Sequence, residues 1–465
     1  MEQIGEKCGV FGVYGKGLDA SRLTFFGLYA LQHRGQEGSG ISSSDGEKIY
    51  CHKNKGLVSQ VFNEEAIEKL PGYIAIGHNR YSTSSGGGVE HVQPVEVFDG
   101  SITLAHNGNL PSVIKLTNFL KEKGIILNNV SDSKIVTEAL HCLMKEGKEI
   151  EEAIEQIFPL MTGTFSILIM TTTKLIALRD SFGIRPLSIG KLNGGYIFTS
   201  ETCALYPIGS TFIREVLPGE MVIADENGLR SKQIAPSNQK LDIFEFVYFA
   251  RPDSTILGQS VYQVRKRFGI TLAKEHPIIA DVVIPIPETG VPVAIAYSQA
   301  TGIPLETGLI KSRYIHRTFI EPEQHIREQG VKLKLSPLKE VIDGKRVIVI
   351  DDSLVRGTTS RQIVKMLFET GAKEVHFIVS SPPVRYPDFY GIDLPDQKKL
   401  LAATRTVKEM NEYLGATSLN FLSYNGMVEA TNIPESNFCT SCFSGIYPID
   451  LEERKNDVTY HNITT

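Results

Sequence analysis

The stretch from residue 347 to residue 360 constrains the fold of this chain more than any other feature. It reads Val-Ile-Val-Ile-Asp-Asp-Ser-Leu-Val-Arg-Gly-Thr-Thr-Ser, a β-branched run followed by two carboxylates and a small, hydroxyl-rich loop. The apolar run is typical of a strand that is buried on both faces of a parallel sheet. A helical pattern follows, so the loop would lie at a helix amino end, where backbone N–H groups bind anions.

The residues of this loop predict a phosphate site. Gly357 to Ser360 offer unobstructed N–H groups and hydroxyls, while Asp351 and Asp352 stand at the carboxyl end of the strand, where open α/β sheets bind ligands. Two acids beside an anion-binding loop suit a ligand that also carries a diol or a divalent cation, which favours a sugar phosphate. A kinase-type P-loop is excluded, because the chain has no Gly-x4-Gly-Lys-Ser/Thr run; a solvated strand-to-loop turn is the alternative.

At this string the chain resembles the phosphoribosyltransferases. The resemblance implies that Asp351 and Asp352 contact the ribose hydroxyls or Mg²⁺ of phosphoribosyl pyrophosphate (PRPP), and that Thr289, in the loop Ile284 to Gly290, helps to hold Mg²⁺. The 5-phosphate would be held by Ser353, Arg356, Gly357, Thr358, Thr359 and Ser360.

A basic stretch lies between these two loops in the sequence. It runs from Lys311 to Lys332 and includes Arg317, and the resemblance implies a flexible loop that closes when PRPP binds. A solvated basic loop is the alternative interpretation.

Composition describes an ordinary globular protein. The 465 residues predict two to three domains, and 42% apolar with 22% charged residues gives ample material for a core. The net charge of -5 argues against a general nucleic-acid or anionic-membrane surface. No apolar run has spanning length and the first seven residues lack a signal h-region, so a cytoplasmic protein is expected.

The chain reads as two parts of different character. Short β-rich runs separated by glycine turns, with helical stretches near residues 18–33, 111–124 and 132–146, predict a layered α+β domain over 8–235. The polar segment 226–241 is the candidate linker. Alternating strands and helices from residue 279 predict an α/β domain with a mostly parallel sheet, within 236–465 including a C-terminal extension.

Cys8 stands almost at the start of the chain, in Cys-Gly-Val-Phe-Gly-Val. A thiol of ordinary pKa, about 8.5, benefits from a nearby base, and no neighbouring His supplies one. If residues 1–7 were removed as a propeptide, the freed α-amino group, with a pKa of about 8, would be a tethered base. A structural cysteine is the alternative.

Four further strings resemble the N-terminal-nucleophile glutamine amidotransferases. Together with the phosphoribosyltransferase half, they resemble the amidophosphoribosyltransferases over nearly the whole chain. The resemblance implies conversion of glutamine, PRPP and water to phosphoribosylamine, glutamate and pyrophosphate, the first step of purine (IMP) biosynthesis, with ammonia passed between the halves. The strings are Leu-Gln-His-Arg-Gly-Gln-Glu-Gly-Ser-Gly at 31–40, Gly-His-Asn-Arg-Tyr-Ser-Thr at 77–83, His-Asn-Gly-Asn at 106–109 and Ser-Asp-Ser at 131–133.

The same resemblance assigns roles in the first half. Cys8 would attack the glutamine side-chain amide, while the Asn107 side chain and the Gly108 N–H would stabilise the oxyanion. Glutamine itself would be bound by Arg80, Thr83 and Asp132. The alternatives are a surface ion pair for Arg80, a helix N-cap for Asp132 and a plain hairpin turn for Asn107-Gly108.

The sequence departs from some relatives at a metal site. Certain members of the family hold an iron–sulfur cluster with four cysteines; here Cys439 and Cys442 stand at two of those positions, and Asp242 and Asp388 at the other two. Because hard carboxylates are poor cluster ligands, no conventional 4Fe-4S cluster is expected, and Mg²⁺ is the expected cofactor. A tetrahedral Zn²⁺ on the four side chains, or two unligated cysteines, are the alternatives.

The resemblance also implies partners, namely glutamine, PRPP, purine nucleotide feedback inhibitors and further copies of the chain in a homo-oligomer. Other amidotransferases would need a different acceptor half, which residues 347–360 do not match. A PRPP-binding DNA regulator would need a basic helix and would not need the glutaminase residues.

Overall fold

Residues 8–81, 88–97, 99–312, 334–392, 394 and 396–460 are described by a computed structural model of the chain. Within them, the first half contains a seven-stranded sheet, order β11-β9-β10-β1-β4-β2-β3, and a six-stranded sheet, order β13-β12-β8-β7-β6-β5. Every strand pair in both sheets is antiparallel. The strands are β1 (Gly9–Tyr14), β2 (Gly38–Ser44), β3 (Ile49–Lys55), β4 (Ile74–Arg80), β5 (Val95–Glu96), β6 (Ile102–Ser112), β7 (Thr162–Thr171), β8 (Leu175–Arg179), β9 (Ser188–Leu192), β10 (Gly195–Thr199), β11 (Thr211–Glu215), β12 (Glu220–Asp225) and β13 (Gly228–Gln233).

The two sheets stack face to face, with helices on both outer faces. Val10 and Ile76 of one sheet share a buried apolar cluster with Leu168 and Val222 of the other. A second cluster packs α1 to α3 on the seven-stranded sheet, and a third packs α4 to α6 on the six-stranded sheet. This is the layered α+β arrangement that the sequence predicts, with helices α1 (Ala20–Ala30), α2 (Val58–Val61), α3 (Glu64–Glu68), α4 (Ile114–Glu122), α5 (Asp132–Lys145) and α6 (Ile150–Ile157).

A buried histidine links the two sheets. The ring Nε2 of His78, on β4, lies 3.1 Å from the carbonyl oxygen of His106 on β6. Because a carbonyl oxygen can only accept a hydrogen bond, the neutral ring carries its hydrogen on Nε2 and donates it. Complete burial lowers the pKa of His78 to about 3.

The pKa of His78 makes the stability of the protein sensitive to acid. Below about pH 6.5 His78 becomes protonated in the unfolded chain, whereas in the folded protein it stays neutral down to about pH 3. The free energy of unfolding therefore decreases as the pH is lowered from about 6.5 to about 3. His78→Gln keeps an N–H for the carbonyl but cannot be protonated. We expect the unfolding free energy of the wild type to approach that of this variant by about 1.4 kcal/mol for each pH unit by which the pH is lowered below about 6. Urea unfolding of both proteins across that range measures it, and parallel pH profiles would contradict it.

The second half is built on a parallel sheet. Its described strands pair in the order β17-β20-β21-β22, all in parallel, and three short two-stranded ladders accompany them. The strands are β14 (Leu241–Asp242), β15 (Thr255–Ile256), β16 (Gln259–Ser260), β17 (Val282–Pro285), β18 (Leu309–Lys311), β19 (Leu335–Pro337), β20 (Arg346–Asp351), β21 (Glu374–Val379), β22 (Ser418–Phe421) and β23 (Phe438–Cys439).

Helices cover both faces of the parallel sheet. Ile348 and Ile350 of β20 face one apolar cluster, and Val347 and Val349 face the other. This double burial explains why the strand reads as an uninterrupted apolar run. The described helices are α7 (Val261–Glu275), α8 (Val291–Thr301), α9 (Lys339–Ile342), α10 (Thr358–Glu369), α11 (Leu401–Thr404), α12 (Val407–Leu414), α13 (Tyr424–Thr431) and α14 (Ser441–Ser444).

Buried charges join the two halves. Arg34, 1% exposed, donates to both carboxylate oxygens of Glu245, at 2.9 and 3.0 Å, and also pairs with Glu201. Arg34 and Glu201 belong to the first half, whereas Glu245 opens a short π-helix of the second half, Glu245–Phe249. Across the described residues, no helix combines the length and apolar character needed to cross a membrane.

Candidate active sites

A small cavity of about 80 Å³ in the first half collects five residues that the sequence singles out. Cys8 precedes β1, Arg80 ends the neighbouring β4, and Asn107 and Gly108 lie on β6. Asp132 is the first residue of α5 and completes the set. Thr83 lies outside the described residues.

Three alternative interpretations of these residues are wrong. Arg80 is 8% exposed, so it is not a surface ion-pair residue. The N-cap of α5 is Ser131, whose side chain accepts from the Lys134 N–H, rather than Asp132. Asn107 and Gly108 stand inside β6, paired with β7, and not at a hairpin turn.

The thiol of Cys8 is held in a protein environment that disfavours its ionisation. Its Sγ lies 4.0 Å from the Tyr81 carbonyl oxygen, and the Cys8 carbonyl oxygen accepts from Arg34 Nε at 3.3 Å. Burial raises the pKa of Cys8, an effect that the nearby Arg80 charge offsets only in part. A nucleophilic role therefore requires a base close to the sulfur.

The neighbouring strand presents donors that suit an oxyanion. The Asn107 amide donates to Ser200 Oγ at 3.4 Å, and the same hydroxyl oxygen accepts from the Val10 N–H at 2.9 Å, which ties Asn107 to β1. Gly108 has φ +155°, and a Cβ there would lie 2.1 Å from the Thr164 carbonyl oxygen. Only glycine fits this position, which lines the cavity next to Asn107.

Asp132 carries the negative charge of the cavity. One carboxylate oxygen accepts from the Ser133 N–H at 2.6 Å and the other from the Leu110 N–H at 3.1 Å. The carboxylate is thus oriented between β6 and α5, and it lines the same cavity as Arg80 of β4. An acid and a guanidinium in one small cavity suit the ammonium and carboxylate of an amino acid.

A second small cavity, of about 50 Å³, lies at the carboxyl end of β20. It is lined by Asp351, Asp352, Ser353, Arg356, Gly357, Thr359 and Ser360, and by Thr289 from the loop after β17. Gly357, at φ +76°, turns the chain into α10, so the loop N–H groups precede a helix of twelve residues. Thr358 is the first residue of that helix and does not line the cavity.

The two acids are poised for a cation or a diol. Burial raises the pKa of Asp351 well above its ordinary value, and the neighbouring Asp352 charge raises it further. Burial also raises the pKa of Asp352, although the hydroxyls of Ser353 and Thr289 donate to its carboxylate and oppose the shift. A hard cation beside these oxygens would relieve both effects.

A larger cavity of about 920 Å³ adjoins this site and is lined by both halves. His33 and Gln36 come from the first half, whereas Thr289, Lys311 and Tyr248 come from the second. Tyr248 and Thr289 line the smaller cavity as well. Arg317 lies outside the described residues.

The candidate metal positions surround a buried cation. The Arg185 guanidinium lies 2.9 Å from Asp242 Oδ2 and 3.7 Å from Asp388 Oδ1, and Cys442 Sγ lies 4.0 Å from Asp388 Oδ2. Burial raises the pKa of Cys439 to about 12 and that of Asp388 to about 7. Among the described residues, no group of three or more His, Cys, Asp or Glu side chains is arranged to hold a metal ion. A guanidinium among protonated thiols does not fit a thiolate-bound cluster.

Several lining residues escape sequence reasoning. Gly391 of the second half lines the Cys8 cavity, and Arg265, 1% exposed, lines the 920 Å³ cavity with its Nη1 lacking a hydrogen-bond partner. Neither Gly391 nor Arg265 belongs to a sequence motif that would identify it as a site residue. His91 and Gln93 also line the Cys8 cavity, although they lie in a stretch without a recognisable pattern.

Comparison with known proteins agrees with this two-site architecture. Residues 78–207 match the glutamine amidotransferase domain family, and residues 266–383 match the phosphoribosyl transferase domain family. The amidophosphoribosyltransferase of Synechococcus elongatus is 48% identical over 96% of this chain and 92% of its own length. That of Bacillus subtilis is 44% identical over 97% of this chain and 96% of its own.

A solved structure extends the likeness to the fold. The B. subtilis glutamine PRPP amidotransferase, complexed with ADP and GMP, superposes with a TM-score of 0.88 at 43% identity, covering 96% of this chain and 98% of that one. Fold and sites thus define a glutaminase joined to a phosphoribosyltransferase. Within that class, the chain belongs to the amidophosphoribosyltransferase family.

Proposed function

We propose that this chain converts PRPP to 5-phosphoribosylamine with glutamine as the nitrogen donor, the first step of purine biosynthesis. One observation supports the proposal above all others. The chain combines the cavity around Cys8, which contains an acid and a guanidinium, with the cavity around Asp351 and Asp352, which has a phosphate-type loop, and its two halves share a 920 Å³ cavity.

In the first half, Cys8 attacks the glutamine carboxamide. Removal of residues 1–7 supplies the α-amino base that the raised pKa of the thiol calls for. Arg80 binds the glutamine α-carboxylate and Asp132 binds the α-ammonium, and Thr83 also contributes to glutamine binding. The Asn107 amide and the Gly108 N–H stabilise the tetrahedral oxyanion, each contributing about 3 kcal/mol to lowering the barrier. Ammonia leaves, and water releases glutamate from the thioester.

In the second half, the loop from Ser353 to Ser360 binds the 5-phosphate. Asp351, Asp352 and Thr289 offer the hard oxygen ligands that Mg²⁺ prefers, and the buried acids fit a cation. When bound, Mg²⁺ neutralises charge on the pyrophosphate leaving group. Lys311, on the wall of the larger cavity, and Arg317 add positive charge for the same group.

Ammonia joins the two reactions. It adds to ribose C1 as pyrophosphate leaves, and it must arrive unprotonated because ammonium has no free electron pair. The 920 Å³ cavity, lined by His33 of the first half and Tyr248 of the second, offers space for the PRPP end of such a route. The relative from B. subtilis binds ADP and GMP, which supports purine nucleotides as regulators of this chain too.

Glutamine hydrolysis measured with and without PRPP tests the proposal. We expect PRPP to stimulate glutamate formation, phosphoribosylamine and pyrophosphate to form in equal amounts, and the intact mass to correspond to a chain that begins at Cys8. Absence of glutamine hydrolysis, or a mature chain that keeps Met1, would contradict it.

We also propose that the Asp242, Asp388, Cys439 and Cys442 positions hold no iron–sulfur cluster. Arg185 already pairs with both carboxylates there, so a metal ion would have to be bound beside a buried guanidinium that carries the same sign of charge. Protein purified without oxygen is expected to contain neither stoichiometric iron and labile sulfide nor stoichiometric zinc. Either metal at one per chain would overturn the proposal.

A further inference from the structure

A segment of the second half lies directly on the oxyanion strand of the first. Residues 388–391, here called the 388–391 segment, follow β21 and reach across the boundary between the halves. Asn109 Nδ2 donates to the Phe389 carbonyl oxygen at 2.8 Å. Thr164 Oγ1 donates to the Tyr390 carbonyl oxygen at 2.9 Å. These two donors stand on β6 and β7, beside Gly108.

The segment ends in close contact with the oxyanion glycine. Gly391 lines the Cys8 cavity, and a Cβ placed on it would lie 3.3–3.5 Å from the backbone C, O and Cα of Gly108. Gly391 has φ +106°, a backbone conformation that residues with a side chain rarely adopt. Gly108 therefore lies between Thr164 on the β7 side and Gly391, which stands next to its Cα and carbonyl group.

A fully buried arginine fixes the segment in place. Arg185 of the first half donates to the Tyr390 carbonyl oxygen from Nε, at 3.0 Å, and from Nη2, at 2.6 Å. It also pairs with Asp242 at 2.9 Å, while Asp388 accepts the N–H groups of Tyr390 and Ile392 at 2.9 and 2.6 Å. The backbone at Tyr390 thus has no freedom to shift without breaking several buried hydrogen bonds.

The other end of the segment leads to the cavity around Asp351 and Asp352. The chain reaches residue 388 from β21, whose last residue pairs with Asp351, and the Ser380 N–H donates to the Asp351 carbonyl oxygen at 2.9 Å. Seven residues separate Ser380 from Asp388 in the sequence. The backbone at Ser380, which borders the cavity around Asp351 and Asp352, is therefore only eleven positions from Gly391, which lies next to Gly108.

From these contacts we infer that the 388–391 segment positions the oxyanion donors of the glutaminase site, with Arg185 as the positioning residue that holds it there. The inference rests on the proposed function. It assigns the second half a part in glutamine hydrolysis itself, because a shift of the Gly108 Cα would carry its N–H away from the oxyanion, although glutamine would still bind between Arg80 and Asp132.

Three variants separate positioning from folding. Gly391→Ala adds a methyl group at the Gly108 contact, Arg185→Lys keeps the charge but loses the two-pronged bond to Tyr390, and Thr164→Val removes one donor without lining the cavity. Gly415→Ala is the matched control, since Gly415 has φ +71° in the same half and nothing within 4 Å of its Cβ position.

The readouts are kcat and KM for glutamine hydrolysis, phosphoribosylamine synthesis from added ammonia, and the rate at which iodoacetamide alkylates Cys8, a reaction that forms no oxyanion. We expect kcat to fall at least ~10-fold in Gly391→Ala and Arg185→Lys and a few-fold in Thr164→Val, because a misplaced oxyanion donor lowers kcat rather than binding. KM, ammonia-dependent synthesis, alkylation and the Gly415→Ala control should stay within about 2-fold of the wild type.

The outcomes distinguish the inference from the proposed function. Wild-type kcat in Gly391→Ala, or a parallel loss of ammonia-dependent synthesis and glutamine hydrolysis in that variant, would overturn the inference alone. If Arg185→Lys does not fold, Gly391→Ala decides by the same criteria. A wild-type protein that does not hydrolyse glutamine would overturn the proposed function and the inference with it.

Discussion

Replacing Cys8 with alanine is expected to reduce glutamine-dependent phosphoribosylamine synthesis by at least ~10³-fold while leaving synthesis from ammonia within about 2-fold of the wild type. The sulfur is the nucleophile of the amide attack, and no other cysteine lines that cavity. Added ammonia bypasses the first reaction, so the second site should work as before. Product formation from each nitrogen donor, measured at saturating PRPP, gives the comparison.

The control for this variant is Cys142→Ala. Cys142 is a half-buried thiol on α5, outside the Cys8 cavity, so its loss should leave both activities intact. Glutamine-dependent synthesis that survives in Cys8→Ala would show that another group attacks the amide. Loss of the ammonia-dependent reaction as well would show that Cys8 is needed for the structure of the chain and not for the first reaction.

Replacing Asp352 with asparagine is expected to lower synthesis from glutamine and from ammonia alike, by about 10²–10³-fold. The change removes a charge from the site proposed to hold the ribose and Mg²⁺, and it does so at nearly constant shape. Because burial already raises the pKa of Asp352, its neutral form is tolerated in the fold, and glutamine hydrolysis without PRPP should stay near the wild-type rate.

Asp396→Asn serves as the matched control for that experiment. Asp396 is exposed in the same half and does not line either PRPP-side cavity, so its neutralisation should change neither reaction. Wild-type ammonia-dependent synthesis in Asp352→Asn would exclude the proposed role of this acid. A loss of basal glutamine hydrolysis would point instead to damage that spreads to the first half.

The sequence could predict those parts of the sites that depend on one strand and the loop after it. The apolar run before Asp351 predicts a central parallel strand, and the structure places it there because both faces are covered by helices. Cys8 and Arg80 meet because β1 and β4 pair, with Gly9 opposite Asn79. That pairing is a property of the fold, and the sequence indicates it only through the resemblance of the strings around Cys8 and Arg80 to a known family.

Residues whose importance depends on a contact across the halves could not be predicted in this way. Gly391 and Gly108 are 283 positions apart, and neither local propensity nor periodicity reports which distant backbone a glycine will touch. Arg185 reads as an ordinary charged residue until the structure shows its side chain buried between Asp242 and Asp388. The interpretation of Asn107-Gly108 as a turn fails for a related reason, since the two residues continue a strand.

The pairing of Arg34 with Glu245 has a consequence for how such a chain can diversify. A glutaminase unit transplanted beside a different acceptor unit would keep every catalytic string and the Arg34–Glu201 pair, yet its buried guanidinium would lose both hydrogen bonds to Glu245. An incoming partner with an acid at the position of Glu245 would therefore retain more stability than one without it. The Arg34–Glu245 pair thus couples the evolution of the two halves, because a change of charge on one side favours a matching change on the other.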